Sequence, residues 1–278
     1  MSQRALLDGT TVVSLAPNVP GPVAAARLRD LGARLVKIEP PAGDLLARSA
    51  PYWYAALHRD AEILTLDLKT EAGRAALDAR LADADLLLTS SRPSALVRLG
   101  LGWSDVHARH PNLAQVAIVG ELPPHEEHAG HDLTYVAQLG MLEPPALPRT
   151  LVADLAGAER AVSAALGLLL RRARGEAARY EAVSLRDAAV VFAEPFAHGM
   201  TAPGGILGGG FGGYRCYRAS DGWIAVAALE PQFERRLVEA LGVASSDAAL
   251  LEPVFASRDV AAWLALAEER DLPFAHVR

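Results

Sequence analysis

A chain of 278 residues, 51% of them hydrophobic, is long enough for one large domain or for a large domain with a small companion. Its formal net charge of −6 and sequence pI of about 5.8 leave no basic field for a polyanion, which argues against nucleic-acid binding. The single cysteine, Cys216, precludes an intrachain disulfide, the Met1–Arg4 start carries no secretory h-region, and apolar runs such as Ala164–Leu170 fall short of the roughly 20 residues of a bilayer span, so a cytoplasmic protein without membrane insertion is expected.

Thr11–Ala16 is a short β-branched run that Pro17–Pro22 brings to a halt. Val23–Leu31 carries alanine and leucine at helical spacing and ends at Gly32, a residue suited to closing a helix. Arg34–Glu39 alternates as a strand up to Pro40 and Pro41, so this opening reads as a right-handed βαβ unit. The alternation repeats with a strand at Ile63–Leu68, a helix at Glu71–Ala82, a strand at Asp85–Thr89, a helix at Val106–His110 and a strand at Leu113–Val119. The fold class predicted is α/β: a mainly parallel, Rossmann-like sheet with helices on both faces. Ligands of such sheets bind beyond the carboxyl ends of the strands. The segments so marked are Pro17–Pro22, Glu39–Leu46, Ser90–Ser94 and Gly120–Asp132.

Further on, Ala158–Ala173 has the spacing of a long helix, Tyr180–Leu185 reads as a strand, and Asp187–His198 is an apolar segment. Glycine then dominates Thr201–Gly213. This shift predicts a large α/β domain over residues 1–203, a glycine-rich linker over 204–213 and a smaller α+β domain over 214–278. In the smaller one, Tyr214–Arg218 and Trp223–Ala228 form a hairpin about Ala219–Gly222, one helix opens at Pro231 and another covers Asp259–Glu269.

Two ionisable residues stand beside glycines at the edges of apolar runs: His131 in Gly130-His131-Asp132-Leu133-Thr134-Tyr135, and Asp154 in Leu151-Val152-Ala153-Asp154-Leu155-Ala156-Gly157. Such edges are where a fold aims side chains into a cleft. Asp154 is expected just ahead of a helix N-terminus, where the plain alternative is a capping carboxylate; for His131 the plain alternative is a partly buried, hydrogen-bonded ring. Gly208, Gly210 and Gly213 have the spacing of a dinucleotide fingerprint but lack the strand before and the helix after, so a hinge is the better reading. His125-Glu126-Glu127-His128 has its histidines three apart behind Pro123-Pro124, the pattern of a solvated loop and not of a zinc helix. No Gly-x-Ser-x-Gly occurs. Glu230, at a strand-to-helix corner before Pro231, is either a surface cap or a carboxylate that fixes a histidine tautomer.

Six blocks in order resemble the family III CoA-transferase (CaiB/BaiF-like) superfamily, and within it the α-methylacyl-CoA racemase branch. They are Pro20-Gly21-Pro22 with Leu31–Glu39, Thr65–Lys69, Arg92-Pro93 with Arg98–Trp103, Gly130–Tyr135, Ala153–Gly157 and Glu230–Phe233. The resemblance implies an acyl-CoA-acting enzyme in which His131, supported by Glu230, and Asp154 face opposite sides of the acyl α-carbon and exchange its proton. It implies that Lys37, Leu66, Arg92 and Arg98 lie near the CoA adenine and phosphates. CoA is then part of the substrate, with no tightly bound cofactor and no metal. It further implies a homodimer in which Glu230 acts in trans. The alternative within the superfamily is CoA transfer between carboxylic acids, with Asp154 forming an acyl anhydride. A third reading is a divergent, non-catalytic CoA-binding protein. Its motives are Ala158-Glu159 after Gly157 where relatives carry glycines, Ser90-Ser91 in place of an Asn-Phe pair, and the missing C-terminal return segment beyond Arg278.

Overall fold

The computed structural model describes residues 5–278, so the Met1–Arg4 start, from which the absence of a leader is expected, lies outside the described residues. The chain divides into two compact units, Met1–Phe192 and Ala193–Arg278.

The first unit is built on six parallel strands: β1 (Thr11–Ser14), β2 (Arg34–Glu39), β3 (Glu62–Thr65), β4 (Leu86–Thr89), β5 (Ala114–Val119) and β6 (Tyr180–Ser184). Their order across the sheet is β3-β2-β1-β4-β5-β6, every neighbouring pair parallel, with Val13 opposite Val36 on one side and Leu87 on the other. This is the doubly wound arrangement expected of the alternating pattern. Successive strand residues point to opposite faces, and the core divides accordingly. Val12, Leu86, Leu88 and Val116 pack under α1 (Pro20–Asp30) and α8 (Val152–Ala173). Val13, Val36 and Leu87 pack under α4 (Glu71–Ala82), α5 (Pro93–Arg98) and α6 (Trp103–Arg109).

Several elements depart from expectation. Helix α1 starts at Pro20, not at Val23, because Pro20 and Pro22 occupy its first turn, where the missing N–H groups have no intrahelical acceptor to lose. Short helices α2 (Leu45–Ser49), α3 (Pro51–Leu57) and α7 (Asp132–Gln138) occupy segments with no clear period. Helix α8 begins six residues earlier than its apolar repeat, at Val152 in place of Ala158. The division between units falls inside α9 (Leu185–Ala197), ahead of the glycine stretch that composition marks.

The second unit carries an antiparallel sheet, β7 (Tyr214–Arg218), β8 (Trp223–Ala227) and β9 (Phe274–His276), in that order. Helices α10 (Pro231–Leu241), α11 (Ala248–Phe255) and α12 (Val260–Arg270) pack on it around Tyr217, Phe255 and Trp263, whose indole N–H donates to the Phe255 carbonyl at 2.9 Å. The glycine stretch is not an extended linker: Ile206–Gly210 folds into a tight turn kinked at Gly208 and Gly209. A Cβ on Gly208 would lie 1.9 Å from the Ala202 carbonyl oxygen, so the glycines are there for close backbone packing. Among the described residues no helix is long and apolar enough to cross a membrane.

Candidate active site

Strand order reverses between β1 and β4, and the loops leaving these strands open a crevice at their carboxyl ends, the place where doubly wound sheets hold ligands. A cavity of about 270 Å³ lies there, lined by Pro17, Ser90, Arg92, Gly120, Gly130, His131, Tyr135 and Asp154 among others. A second cavity of about 240 Å³ lies against Lys37, Glu39, Asp44, Leu66 and Lys69 and shares Pro17 and Ser91 with the first. The loops after β1, β3, β4 and β5 thus form two adjoining chambers.

Asp154 is the third residue of α8, inside the first turn and not ahead of it as expected. Nor does it cap the helix. Asp132 does so from α7: its Oδ1 accepts the amides of Ala153 at 2.7 Å and of Asp154 itself at 3.1 Å. The Asp154 carboxylate accepts no hydrogen bond among the described residues. Burial, then the neighbouring charge of Asp132, push its pKa from the ordinary 3.8 to about 6, against an opposing pull from His131. A helix N-terminus by itself favours the carboxylate. Here desolvation and a like charge win.

His131 is the N-cap residue of α7. Its backbone is held by Thr134, whose hydroxyl accepts the His131 N–H at 3.0 Å and donates to the His131 carbonyl at 2.8 Å. The ring is exposed, so it is not a core histidine. It lines the same cavity as Asp154. The loop before it is the irregular, charged segment expected of the His125–His128 stretch. It is fastened by Glu127, which accepts both the amide and the hydroxyl of Ser94 at 2.8 Å. Those two bonds hold the Glu127 carboxyl below its usual range.

Of the residues expected near CoA, Arg92 caps α5 and lines the His131 cavity, whereas Leu66 and Lys37 line the second. Lys37 is not available to a phosphate. Its ammonium is 2% exposed, 2.9 Å from the Asp44 carboxylate and 2.7 Å from the Ala16 carbonyl oxygen. Burial pushes Asp44 up, but the Lys37 bond and the amides of Leu46 and Asn18 bring it below 3.8 overall. The pair therefore braces the loops after β1 and β2. Arg98 ends α5 and faces a separate groove beside Arg74 and Arg109, apart from the other three. Glu230 belongs to the second unit, where it is the exposed N-cap of α10 and makes no side-chain capping bond. No group of three metal-ligating side chains occurs among the described residues.

Two residues of this site escaped sequence reasoning, although both stand in the Gly130–Tyr135 block. Asp132 is the tether that orients α8, and Tyr135 sits buried against the cavity wall. The spacing of Asp132 from α8 carries no local signal, since its bonds span 21 and 22 residues.

The family model for CoA-transferase family III matches residues 7–278. Among curated proteins, the chain is 32% identical over 263 residues to the human α-methylacyl-CoA racemase, covering 87% of this chain and 66% of that one. It is 35% identical over 204 residues to a probable fatty acyl-CoA transferase of Mycobacterium tuberculosis, covering 66% of this chain and 51% of the relative. The chain therefore spans about half to two thirds of the length of these relatives. A crystal structure of that mycobacterial protein superposes with a TM-score of 0.87 at 26% identity, covering 100% of this chain and 85% of the other. A CaiB/BaiF family protein from Brucella suis shares the fold, with a TM-score of 0.83 at 24% identity over 99% and 85% of the two chains.

Proposed function

The chain belongs to CoA-transferase family III, and from that premise we propose that it acts on acyl-CoA thioesters by racemase-like 1,1-proton transfer at the acyl α-carbon. One observation carries this reading: a single cavity at the switch point of the sheet holds an exposed imidazole and a carboxyl group whose pKa lies near 6. A base that must take a proton on one turnover and return one on the next works best with a pKa near the working pH. The thioester acidifies the α-hydrogen. One of His131 and Asp154 removes it, and the other delivers a proton to the opposite face of the planar enolate.

In this reading the CoA moiety extends through the adjoining chamber, with Leu66 as an apolar wall and Arg92 on the wall of the first chamber, while Arg98, in its separate groove, lies off this path. Lys37 contributes by holding the chamber's shape through Asp44. The CoA is part of the substrate, and no further cofactor is needed for the step. Glu230 fixes the His131 tautomer from the partner of a homodimer, and the enzyme works in the cytoplasm. Incubating a panel of 2-methylacyl-CoA esters in deuterated water tests the reading: α-deuterium appears if it is right, and a panel that stays unlabelled contradicts it.

A second reading, CoA transfer, is supported by the likeness to the probable fatty acyl-CoA transferase. Asp154 would attack the thioester carbonyl, expel CoA thiolate and form a mixed anhydride; the thiolate held in the site then attacks the Asp154 carbonyl, releasing the first acid as carboxylate and leaving an Asp154–CoA thioester. A second carboxylate displaces the thiolate to form a new anhydride, and attack of the thiolate on its acyl carbonyl gives the new acyl-CoA and frees Asp154. That route needs no histidine. Exchange of labelled CoA between free acids that survives His131→Ala, without α-deuteration in the parent protein, selects it.

A further inference from the structure

Tyr135 has no part in the proton transfer proposed above, yet it is the most enclosed polar side chain of the His131 cavity. It is 3% exposed. Its hydroxyl has no protein partner among the described residues, and the oxygen is not sealed in, because Tyr135 lines the cavity together with His131 and Asp154. Two glycines make room for it. A Cβ on Gly120 would lie 2.1 Å from the phenolic oxygen, and one on Gly130 2.3 Å. The phenol thus passes between bare backbone just beyond β5 and just before α7. A polar group left unpaired in so closed a place costs stability. A phenylalanine in the same space would avoid that cost, so the hydroxyl is best explained by a ligand atom that completes it.

The chemistry of the cavity supplies such an atom. A thioester with its α-carbon between His131 and Asp154 must keep its carbonyl oxygen within the same 270 Å³ or so. That oxygen gathers negative charge both when an α-proton leaves and when a carboxylate adds to the carbonyl carbon. We infer that the Tyr135 hydroxyl donates a hydrogen bond to the thioester oxygen and stabilises the oxyanion that forms there. This deepens the acyl-CoA reading of the cavity and rests on it. The O–H bond is not broken: burial first, then the charges of Glu121 and Asp154, raise the phenol above its ordinary 10.0, against a smaller pull from Arg92. At neutral pH the group is therefore a neutral donor. Arg92, the other strong donor on this wall, is exposed at the start of α5, and a donor withdrawn from water stabilises an oxyanion more than one that water screens.

The test uses the full chain and its Tyr135→Phe variant with acetyl-CoA labelled with carbon-13 at the thioester carbonyl. In the parent protein the infrared carbonyl band of the bound ester should fall below its position in solution, and in Y135F it should move back up. With a 2-methylacyl-CoA, or with a CoA-exchange assay if that is the active one, kcat should drop about 100-fold. Affinity for the ester should hold within about threefold, a loss of no more than ~0.7 kcal/mol, and the melting temperature should be unchanged or higher. A band at the same position in both proteins overturns the inference and leaves the acyl-CoA reading standing. If acetyl-CoA does not bind the parent protein saturably, both fall.

Discussion

Replacing Asp154 by asparagine should make the first unit more stable at neutral pH and leave it unchanged near pH 4. The carboxyl group is half-buried, accepts no hydrogen bond among the described residues and faces the charge of Asp132, so ionising it costs the native state more than the unfolded chain. A group whose pKa is raised on folding supports the native state fully below the unfolded value, 3.8, and loses that support as pH rises through the folded value, about 6. The difference corresponds to a ceiling of roughly 3 kcal/mol. Water reaches one side of the cavity and screens the charge, which reduces the expected gain to about 1–2 kcal/mol. Asparagine has the same shape and carries no charge. For a unit of this size the gain should appear as a melting-temperature difference of about 2–6 °C above pH 7 that shrinks to nothing near pH 4. Calorimetry of both proteins from pH 4 to 8 measures it. A constant offset across that range, or a variant less stable at pH 7, would refute the reasoning, because it would mean that Asp154 is ionised and supported in the folded protein.

Three other perturbations probe the scaffold around the site. Asp132→Asn keeps an acceptor for the Ala153 and Asp154 amides but removes the charge, so the acidic limb of the pH–rate profile should move to lower pH, while Asp132→Ala should cost about 1–3 kcal/mol by orphaning both amides. Equal profiles for the parent and D132N would contradict this. Lys37→Met strands the buried Asp44 carboxylate and should destabilise the first unit by about 3–5 kcal/mol in denaturant titration, with a second change, Asp44→Leu, restoring much of the loss. Gly157→Ala drives a methyl to 2.2 Å from Leu185 Cδ2 and should cost about 1–3 kcal/mol, whereas Gly167→Ala, with open space around it, should be neutral or stabilising in the same titration.

The parallel sheet was legible because its strands are short, branched and apolar, and because each is separated from the next by a stretch with helical period; Val12-Val13 and Leu86-Leu87-Leu88 bury both faces and read as continuous apolar runs. Helix α4 was legible to the residue, since Thr70 caps it by accepting the Gly73 amide at 3.0 Å and an Asp follows its last turn. The start of α8 was not. Leu151 has no side chain to cap with, and the acceptor comes from Asp132, far away in the chain. Periodicity therefore points to Ala158, where the apolar repeat begins, and misses the first turn that carries Asp154. The same non-locality hides Lys37: in a strand of alternating residues a lysine reads as a surface charge, and only the return of the chain at Asp44 makes a buried pair of it. His131 and Asp154 were marked by their glycine neighbours and by family resemblance; that their side chains face one cavity follows from the doubly wound topology, which stacks the loops after β1, β4 and β5 at one end of the sheet. Composition marks a linker at the glycine-rich tight turn around Ile206–Gly210, whereas the compact units divide earlier, within the apolar run Ala188–Ala193 of α9, where no glycine signals a break.

The claim that His131 and Asp154 attend opposite faces of one α-carbon is tested most directly by offering each epimer of a 2-methylacyl-CoA, in deuterated water, to His131→Ala and to Asp154→Asn. Each variant keeps one base. H131A should wash deuterium into one epimer without inverting it, and D154N into the other. Variants that label both epimers alike, or an H131A protein that still epimerises, would contradict the two-base arrangement.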